Sequence, residues 1–377
     1  MRLILFLSLV SFAMSRLQMT DIQKLDALIT DSSLYDSRIP SVDDDGMSNV
    51  KVDLRIRNIW NIDQKSMDCK MNILLTFKWI DNRLANISNY VIPLTNPEII
   101  DKIWIPEMFF SNSKTGKFHK VAVPNQIMLI DPSGDINLVR RYYVHFTCAM
   151  DFRRYPFDDQ ECSLEISHIR RHPGKFVWNA GHNSVSVHPQ VKLPQFVVDF
   201  LDARECGDVY SLDPKTDCLK AVIHFRRRFG FFLVNVYVPS VMIVMVSWTG
   251  FWIDINSAPA RISLSVTTLL TISTKASSLQ SMTAEVSYIK AIDVWMGVCM
   301  GIVFFSLVEF VFANYLWRRN AKLIKAKTKN LSQAEAENDV LAEIPKWRKL
   351  NIDKISRILF PSFFAIFSLV YWIYYLI

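Results

Sequence analysis

Three long apolar runs near the C-terminus constrain this chain more than any other feature of its sequence. The runs are Phe231–Ile253, Tyr288–Trp317 and Ile355–Ile377. Each is long enough to cross the roughly 30 Å hydrocarbon core of a bilayer as a helix, which takes about 20 residues. Buried core helices of a soluble protein are the alternative. Three such runs in one half of a chain favour a membrane protein.

A fourth segment, Ile262–Leu279, has the length of a spanning helix but is rich in serine and threonine. At about 100° per residue, five of its side chains fall along one line of a helix. We call this line the hydroxyl stripe, and its members are Ser263, Thr267, Leu270, Thr274 and Ser277. A polar line on a spanning helix faces either water or other helices. The pattern favours a pore wall over a hydroxyl-mediated helix contact.

The N-terminus has the three parts of a secretory signal. Arg2 supplies the basic start, Leu3–Ala13 is apolar, and small residues stand at Ala13 and Ser15. We therefore predict a signal peptide over residues 1–15, with a buried N-terminal element as the alternative. Secretion places the chain that follows outside the cell, in an oxidising compartment.

The segment after the signal predicts an all-β sandwich. Short alternating apolar stretches recur there, separated by turn signals such as Asp131-Pro132-Ser133-Gly134. We therefore predict an extracellular β-sandwich domain over residues 16–228.

A transmembrane channel domain is predicted over residues 229–377. Its four helical spans are expected at about 231–253, 260–280, 288–317 and 355–377, with a short cytoplasmic loop at 318–354. This loop has more Lys and Arg than Asp and Glu, which agrees with the positive-inside rule.

Charge and motif content exclude several classes of function. The net charge is +7, from 43 Lys and Arg against 36 Asp and Glu. This is mild for the length and does not indicate a partner made of nucleic acid. The sequence has no nucleophile elbow, phosphate-binding glycine loop or His-Glu-x-x-His motif. We therefore expect no enzyme, no cofactor and no metal site.

Four cysteines of the external segment form two pairs by spacing. Cys148 and Cys162 enclose AMDFRRYPFDDQE, and Cys206 and Cys218 enclose GDVYSLDPKTD. Disulfides persist in an oxidising compartment, so both pairs are predicted to be bonded. A thiolate metal site is the alternative, but the close Cys-x-x-Cys spacing of such sites is absent.

The first cysteine loop carries a family resemblance. With Tyr155-Pro156-Phe157-Asp158 at its middle, it resembles the hallmark of the Cys-loop, or pentameric, ligand-gated ion channels. Other matching segments cover nearly the whole chain: Ile103–Phe110, Leu193–Phe196, Tyr237–Ser240, Pro259–Arg261, Lys290–Trp295 and Phe360–Pro361. Within the family the chain looks most like the anion-selective branch, which includes glycine receptors and invertebrate glutamate-gated chloride channels.

The resemblance implies an assembly and a location. It implies five subunits, of one kind or of several, around a pore in membrane lipid. The small-molecule neurotransmitter would bind between neighbouring β-sandwiches. The protein would lie in the plasma membrane, at the postsynaptic side, with its N-terminus outside the cell.

The resemblance also implies which ion passes. Cation-selective relatives have a glutamate just before the basic residue at the inner mouth of the pore, where this chain has Ala260 between Pro259 and Arg261. No acidic residue occurs from Ala260 to Leu279, so chloride is expected. Arg261 also suits an interfacial anchor. Leu270 is expected to form an apolar gate, with ordinary helix packing as the alternative.

The ligand site is where the resemblance is least complete. It implies aromatic residues Phe109 and Tyr210 on one subunit, and arginines Arg57 and Arg141 on its neighbour. Amino-acid-gated relatives carry another arginine where this chain has Thr76, which weakens the case for glycine or glutamate. An acidic hairpin between Cys206 and Cys218 would suit an amine. A subunit without a complete site of its own also fits.

Further expectations concern coupling and modification. Charged residues Asp158, Arg227 and Lys290 are predicted to meet at the junction between the domains. Asn86-Ile87-Ser88 is a glycosylation sequon, so Asn86 is predicted to carry a glycan. His168, His172, His182 and His188 are either surface residues or a modulatory site.

Overall fold

The computed structural model describes residues 21–41, 48–168, 174–179, 184–206, 218–254, 257–283, 285–328 and 352–376. These residues form two compact units. The first contains the chain up to Met150 together with Asp159–Arg226. The second contains Asp151–Asp158 and the chain from Arg227 onward. The short segment Asp151–Asp158 therefore belongs with the C-terminal helices.

The first unit is built from two main β-sheets. The strands are β1 Ser48–Asp63, β2 Asp68–Ile80, β3 Ile92–Leu94, β4 Met108–Phe110, β5 Ser113–Phe118, β6 Lys120–Val121, β7 Val123–Pro124, β8 Gln126–Ile130, β9 Asp135–Thr147, β10 Asp159–His168, β11 Gly174–Trp178, β12 Val185–Val187, β13 Phe196–Glu205 and β14 Cys218–Arg227. The larger sheet has eight strands, with β11-β1-β2-β9-β8-β3 in order, β12 also pairing with β1, and β5 with β9. The smaller sheet has the order β13-β14-β10-β4, and β6 and β7 form a separate hairpin.

Alternation along the strands produces the core of this unit. On β1, Val52, Leu54 and Ile56 are buried, whereas the intervening Arg55 is exposed. Successive side chains of a strand point to opposite faces, so one face of the sheet packs inward and the other is free to present charged groups. The smaller sheet contributes buried residues such as Leu164 to the core.

The start of the first unit is fixed by a buried tyrosine. Helix α1 covers residues 21–30 and helix α2 covers Pro97–Ile100. The Tyr35 hydroxyl donates to Asp81 Oδ2 at 3.1 Å and accepts from the Trp104 N–H at 3.0 Å. Arg83 pairs with the same carboxylate at 2.8 Å. These hydrogen bonds and the ion pair thus join three separate parts of the chain around the Tyr35 hydroxyl and the Asp81 carboxylate.

The second unit is helical. Helix α3 covers Gly230–Trp252 and includes a π-helical turn at Leu233–Tyr237. It is followed by α4 (Ala258–Gln280), α5 (Ala291–Thr328) and α6 (Ile352–Leu376).

Within the described chain, three helical stretches are long and apolar enough to cross a membrane. They are Gly230–Trp252, Ala291–Arg319 and Asp353–Leu376. The fourth helix, α4, has 23 residues, but its serine and threonine content makes it less apolar than the other three.

Aromatic side chains hold three of these helices together. Trp295 of α5 is buried and donates from Nε1 to Ser240 Oγ of α3 at 2.8 Å. The hydroxyls of Tyr237 and Tyr371 lie 2.8 Å apart, joining α3 to α6, and Tyr371 also donates to the Ala291 carbonyl at 3.1 Å. These bonds satisfy polar groups that would otherwise be buried without partners.

Candidate functional site

The hydroxyl stripe of α4 is an exposed face of the subunit. All five of its members are exposed, and the Leu270 side chain is 63% accessible. The opposite side of α4 is buried, with Ser265, Thr268 and Ile272 packed inward. A subunit that leaves a leucine and a line of hydroxyls uncovered on a helix of spanning length presents a face that further subunits can enclose.

The threonine hydroxyl groups of the stripe donate hydrogen bonds to backbone carbonyls of the same helix. Thr274 donates to the Thr271 carbonyl at 2.9 Å, and Thr267 donates to the carbonyls of Ser263 and Leu264. Such bonds let a helix carry threonine in an apolar environment. The stripe is therefore compatible with a spanning helix as well as with a water-filled pore.

The N-terminus of α4 is not neutralised by any acid of its own. The helix begins at Ala258 after Ser257, its first turn has no acidic residue, and Pro259 and Ala260 are exposed. The aligned peptide dipoles of a helix place partial positive charge at such an end. The first turn of α4 is therefore suited to attract anions.

Arg261 does not lie on the hydroxyl stripe. Its side chain is 2% exposed and forms a salt bridge with Asp353 of α6, with Nη2 and Oδ2 2.9 Å apart. The stripe and this guanidinium face opposite sides of α4, so the structure places the Arg261 side chain away from the exposed face.

Asp158 and Arg227 meet in a buried ion pair. Arg227 donates from Nε to Asp158 Oδ1 at 2.6 Å and from Nη2 to Oδ2 at 2.8 Å, and the two side chains are 0% and 2% exposed. The guanidinium also lies 4.6 Å from the centre of the Tyr155 ring. Burial raises the pKa of Tyr155 to about 12, so the ring stays neutral beside the ion pair.

The segment Asp151–Asp158 is bonded to the start of α5 through its backbone. Ala291 N–H donates to the Arg153 carbonyl at 3.0 Å, and Ile292 N–H donates to the Tyr155 carbonyl at 3.1 Å. The Tyr288 hydroxyl accepts from Phe152 N–H at 2.9 Å. Tyr288 was not singled out from the sequence, because nothing in its local pattern distinguishes it from other tyrosines.

Lys290 lies near this segment but has other bonding partners. Its Nζ donates to Thr283 Oγ1 at 2.7 Å and lies 4.0 Å from Asp293. Both partners belong to the linker after α4 and the first turn of α5. Lys290 therefore connects the linker after α4 to the beginning of α5.

The candidate ligand residues lie on two different sheets of the first unit. Phe109 is on β4 of the smaller sheet and is 43% exposed. Arg57 and Arg141 are on β1 and β9 of the larger sheet. Tyr210 lies outside the described residues. A placement on separate sheets is compatible with a site that forms between two neighbouring subunits.

The register of the larger sheet brings another arginine to the same face. Arg55 is directly opposite Leu74, and Leu74 is directly opposite Arg141. Adjacent strands are about 4.8 Å apart, so the two arginines flank Leu74 at about 10 Å between their backbones. Arg141 is further oriented by Asn72, whose Oδ1 accepts from its Nε at 2.8 Å. The sequence alone did not identify Arg55.

Both cysteine pairs form disulfides in the structure. They join Cys148 to Cys162 and Cys206 to Cys218. In the predicted sequon, Asn86 is exposed, and the Ser88 hydroxyl donates to Asp21 at 2.7 Å.

The two described histidines of the predicted group have local contacts. His188 Nδ1 accepts from Gln190 N–H at 3.3 Å, and the His168 ring lies 5.0 Å from that of Phe176. His172 and His182 lie outside the described residues.

A β-sandwich followed by apolar helices and one hydroxyl-striped helix defines a membrane channel with an attached binding domain. Residues 22–229 match the family described as the neurotransmitter-gated ion-channel ligand binding domain. Residues 236–349 match the neurotransmitter-gated ion-channel transmembrane region. The chain is also 33% identical to a glutamate-gated chloride channel of Drosophila melanogaster, over 91% of this chain and 89% of that relative.

The chain therefore belongs to the neurotransmitter-gated ion-channel family. It is a membrane protein with an extracellular N-terminal domain, and it is a channel subunit rather than an enzyme. The β-sandwich and the helices have the architecture that the first cysteine loop indicated.

Proposed function

We propose that the protein is a subunit of a neurotransmitter-gated chloride channel. The observation that carries this proposal is the exposed hydroxyl stripe of α4, which begins after a first turn without an acidic residue. Five copies of this helix around an axis enclose a pore lined by Ser263, Thr267, Leu270, Thr274 and Ser277. Ligand binding between neighbouring extracellular domains opens this pore.

Chloride is favoured by the electrostatics of the inner mouth. The first turns of five α4 helices place partial positive charge there, and Ala260 adds no negative charge to oppose it. The wall from Ala260 to Leu279 is free of acid throughout. The identity of the Drosophila relative as a chloride channel supports the same choice.

An amino acid with a free carboxylate is the ligand class that the first unit supports best. Arg55, Arg57 and Arg141 lie on the same outward side of β1 and β9, and no salt bridge between them and a carboxylate is present among the described residues. Such guanidinium groups suit a carboxylate ligand. Phe109 and Tyr210 of the neighbouring subunit would cover its other side. Glutamate is the first ligand to test, since the relative is gated by it.

A subunit that lacks a complete ligand site is the second candidate. Thr76 stands where amino-acid-gated relatives have an arginine, and Leu74 stands where they have an aromatic residue. In a heteropentamer such a subunit would line the pore while a partner subunit supplies the site.

The topology and location follow from the same proposal. A signal peptide over residues 1–15 is removed, residues 16–228 bind the ligand, and residues 229–377 form the channel. The loop at 318–354 is cytoplasmic, and the channel lies in the postsynaptic plasma membrane.

The experiment that tests this function is expression of the chain alone in oocytes. Glutamate, glycine, GABA, acetylcholine and biogenic amines are applied in turn, and the reversal potential is measured at high and low external chloride. A current whose reversal potential follows the chloride equilibrium potential supports the proposal. A reversal potential that follows sodium contradicts chloride selectivity. Current only after co-expression with another subunit supports the second candidate.

A further inference from the structure

The guanidinium of Arg261 is enclosed by three other elements of the second unit. Its Nε donates to the Ile253 carbonyl at 2.9 Å, in the loop that joins α3 to α4. Its Nη1 and Nη2 donate to the two oxygens of Asp353 in α6, at 3.2 Å and 2.9 Å. The ring of Phe310 in α5 lies 5.6 Å from its central carbon. One side chain of α4 thus contacts the preceding loop, α5 and α6.

This arrangement neutralises the charge of Arg261 within one subunit. An arginine buried in an apolar helix bundle is costly unless its charge is paired and its N–H groups are bonded. The bidentate contact with Asp353 supplies the paired charge and fixes the orientation of the guanidinium plane. The positive charge of Arg261 is therefore balanced by its neighbour in α6 and points away from the hydroxyl stripe.

The first turns of α6 also bind the last turn of α3. Arg357 donates from Nη2 and Nε to the Phe251 carbonyl, at 2.8 Å and 3.1 Å. Ser356 donates to Glu309 Oε1 of α5 at 3.0 Å. The beginning of α6 thereby binds α5 and the last turn of α3, and through Asp353 it binds the guanidinium of α4. The position of the first turn of α4 depends on these bonds.

We infer that Asp353 is a positioning residue for the inner end of the pore. It holds Arg261 on the side of α4 that faces the other helices, so that Arg261 orients the helix and does not contribute a charge to the ion path. The inference rests on the proposed channel function. It assigns the anion preference to the first turn of α4 around Ala260, and it assigns Arg261 and Asp353 to the geometry of that turn.

The test is a cycle of three variants: Asp353→Asn, Arg261→Gln and both together. Each is made in a Leu270→Ser background, because a hydrophilic residue in the apolar constriction is expected to let the channel conduct without a ligand. The neighbouring exposed residue provides the matched control, Lys354→Gln. Surface biotinylation of assembled pentamers and the reversal potential are measured for every variant.

The expected result is strong coupling between the two positions. Asp353→Asn leaves a buried charge without its partner, so pentamers at the surface fall at least fivefold, while Lys354→Gln changes them less than twofold. The double variant removes both charges and recovers most of the lost surface pentamers. Its current still follows the chloride equilibrium potential. Asp353→Glu, which retains the carboxylate, loses fewer surface pentamers than Asp353→Asn.

Two results would overturn the inference. If the fold reductions in surface pentamers of the two single variants multiply in the double variant, Asp353 and Arg261 act independently. A reversal potential of the double variant that moves toward that of sodium would show that Arg261 contributes its charge to the ion path. Absence of current in the Leu270→Ser background itself counts against the proposed channel function, and the surface cycle then still decides whether Asp353 and Arg261 act together.

Discussion

Arg227 binds Asp158 through two hydrogen bonds of 2.6 and 2.8 Å in a site from which solvent is excluded. The two residues are direct continuations of Arg226 and Asp159, which pair between β14 and β10. Arg227 is the last residue of β14, and Asp158 immediately precedes the first residue of β10, so the ion pair lies at the paired ends of these two strands.

We expect Arg227→Ala to be severe and Arg228→Ala to be mild. Removing one partner of a buried ion pair leaves the other charge unpaired, which costs about 3–5 kcal/mol. Arg228 is exposed, so its loss removes little more than a solvated charge. Surface expression and ligand-evoked current are measured for both. Equal, small effects of the two substitutions would mean that these arginines only anchor the chain at the membrane interface.

A glutamate at position 260 is expected to change which ions pass. Ala260 is exposed in the first turn of α4, where a carboxylate from each of five subunits would form a ring of negative charge. Ala260→Glu should move the reversal potential from chloride toward sodium or potassium. Ala260→Gln has nearly the same shape without the charge and should remain anion-selective. A similar reversal potential in both variants would locate selectivity elsewhere in the pore.

Leu270→Ser is expected to weaken the closed state. In the proposed pore, the exposed Leu270 side chains of five subunits would form an apolar constriction that excludes water, and a hydroxyl at this position favours hydration. The variant should show a standing current in the absence of ligand and a lower ligand concentration for half-maximal response. Leu269→Ser, one residue off the stripe, is the control. An equal standing current from both variants would place the constriction away from Leu270.

The glycosylation sequon gives a prediction that is independent of gating. Asn86 is exposed, and the Ser88 hydroxyl donates to Asp21 at 2.7 Å. Asn86→Gln should remove one glycan and increase mobility on a denaturing gel, to the position that the native chain reaches after glycosidase treatment. Ser88→Thr keeps the sequon and should leave the mobility unchanged. A native chain that glycosidase does not shift would contradict modification at this residue.

The sequence predicted the helices and the hydroxyl stripe because each follows from the kinds of residue and their spacing within a single segment. The partner of Arg261 could not be predicted in this way. Asp353 is 92 positions further along the chain, and only the packing of α6 against α4 brings it to the guanidinium. For Lys290, the charge indicated a role at the junction, but its bond to Thr283 depends on the path of the linker.

Arg55 illustrates a different limit. Its place opposite Leu74 depends on strand register, and the pairing of β1 with β2 shifts between Ile56 and Asn58. A family pattern read along the sequence gives Arg57 and Arg141, but it does not show which neighbouring side chains share their face of the sheet. The structure shows that Arg55 shares this face. The face therefore has several arginines although position 76 is a threonine.

The last prediction uses this face to identify the ligand class. A charge-assisted hydrogen bond contributes about 1.5–3 kcal/mol, so removing one guanidinium from a bound carboxylate should raise the half-maximal concentration roughly 10- to 100-fold. We expect this for Arg57→Ala and Arg141→Ala, and also for Arg55→Ala, since Arg55 and Arg141 flank Leu74. Lys51 is an exposed cation nearer the start of β1, and Lys51→Ala should have little effect. Concentration–response curves for glutamate compare the four variants. If Arg55→Ala and Lys51→Ala give the same curve, Arg55 is outside the site. If all four leave the response unchanged, the ligand does not bind through its carboxylate on this face.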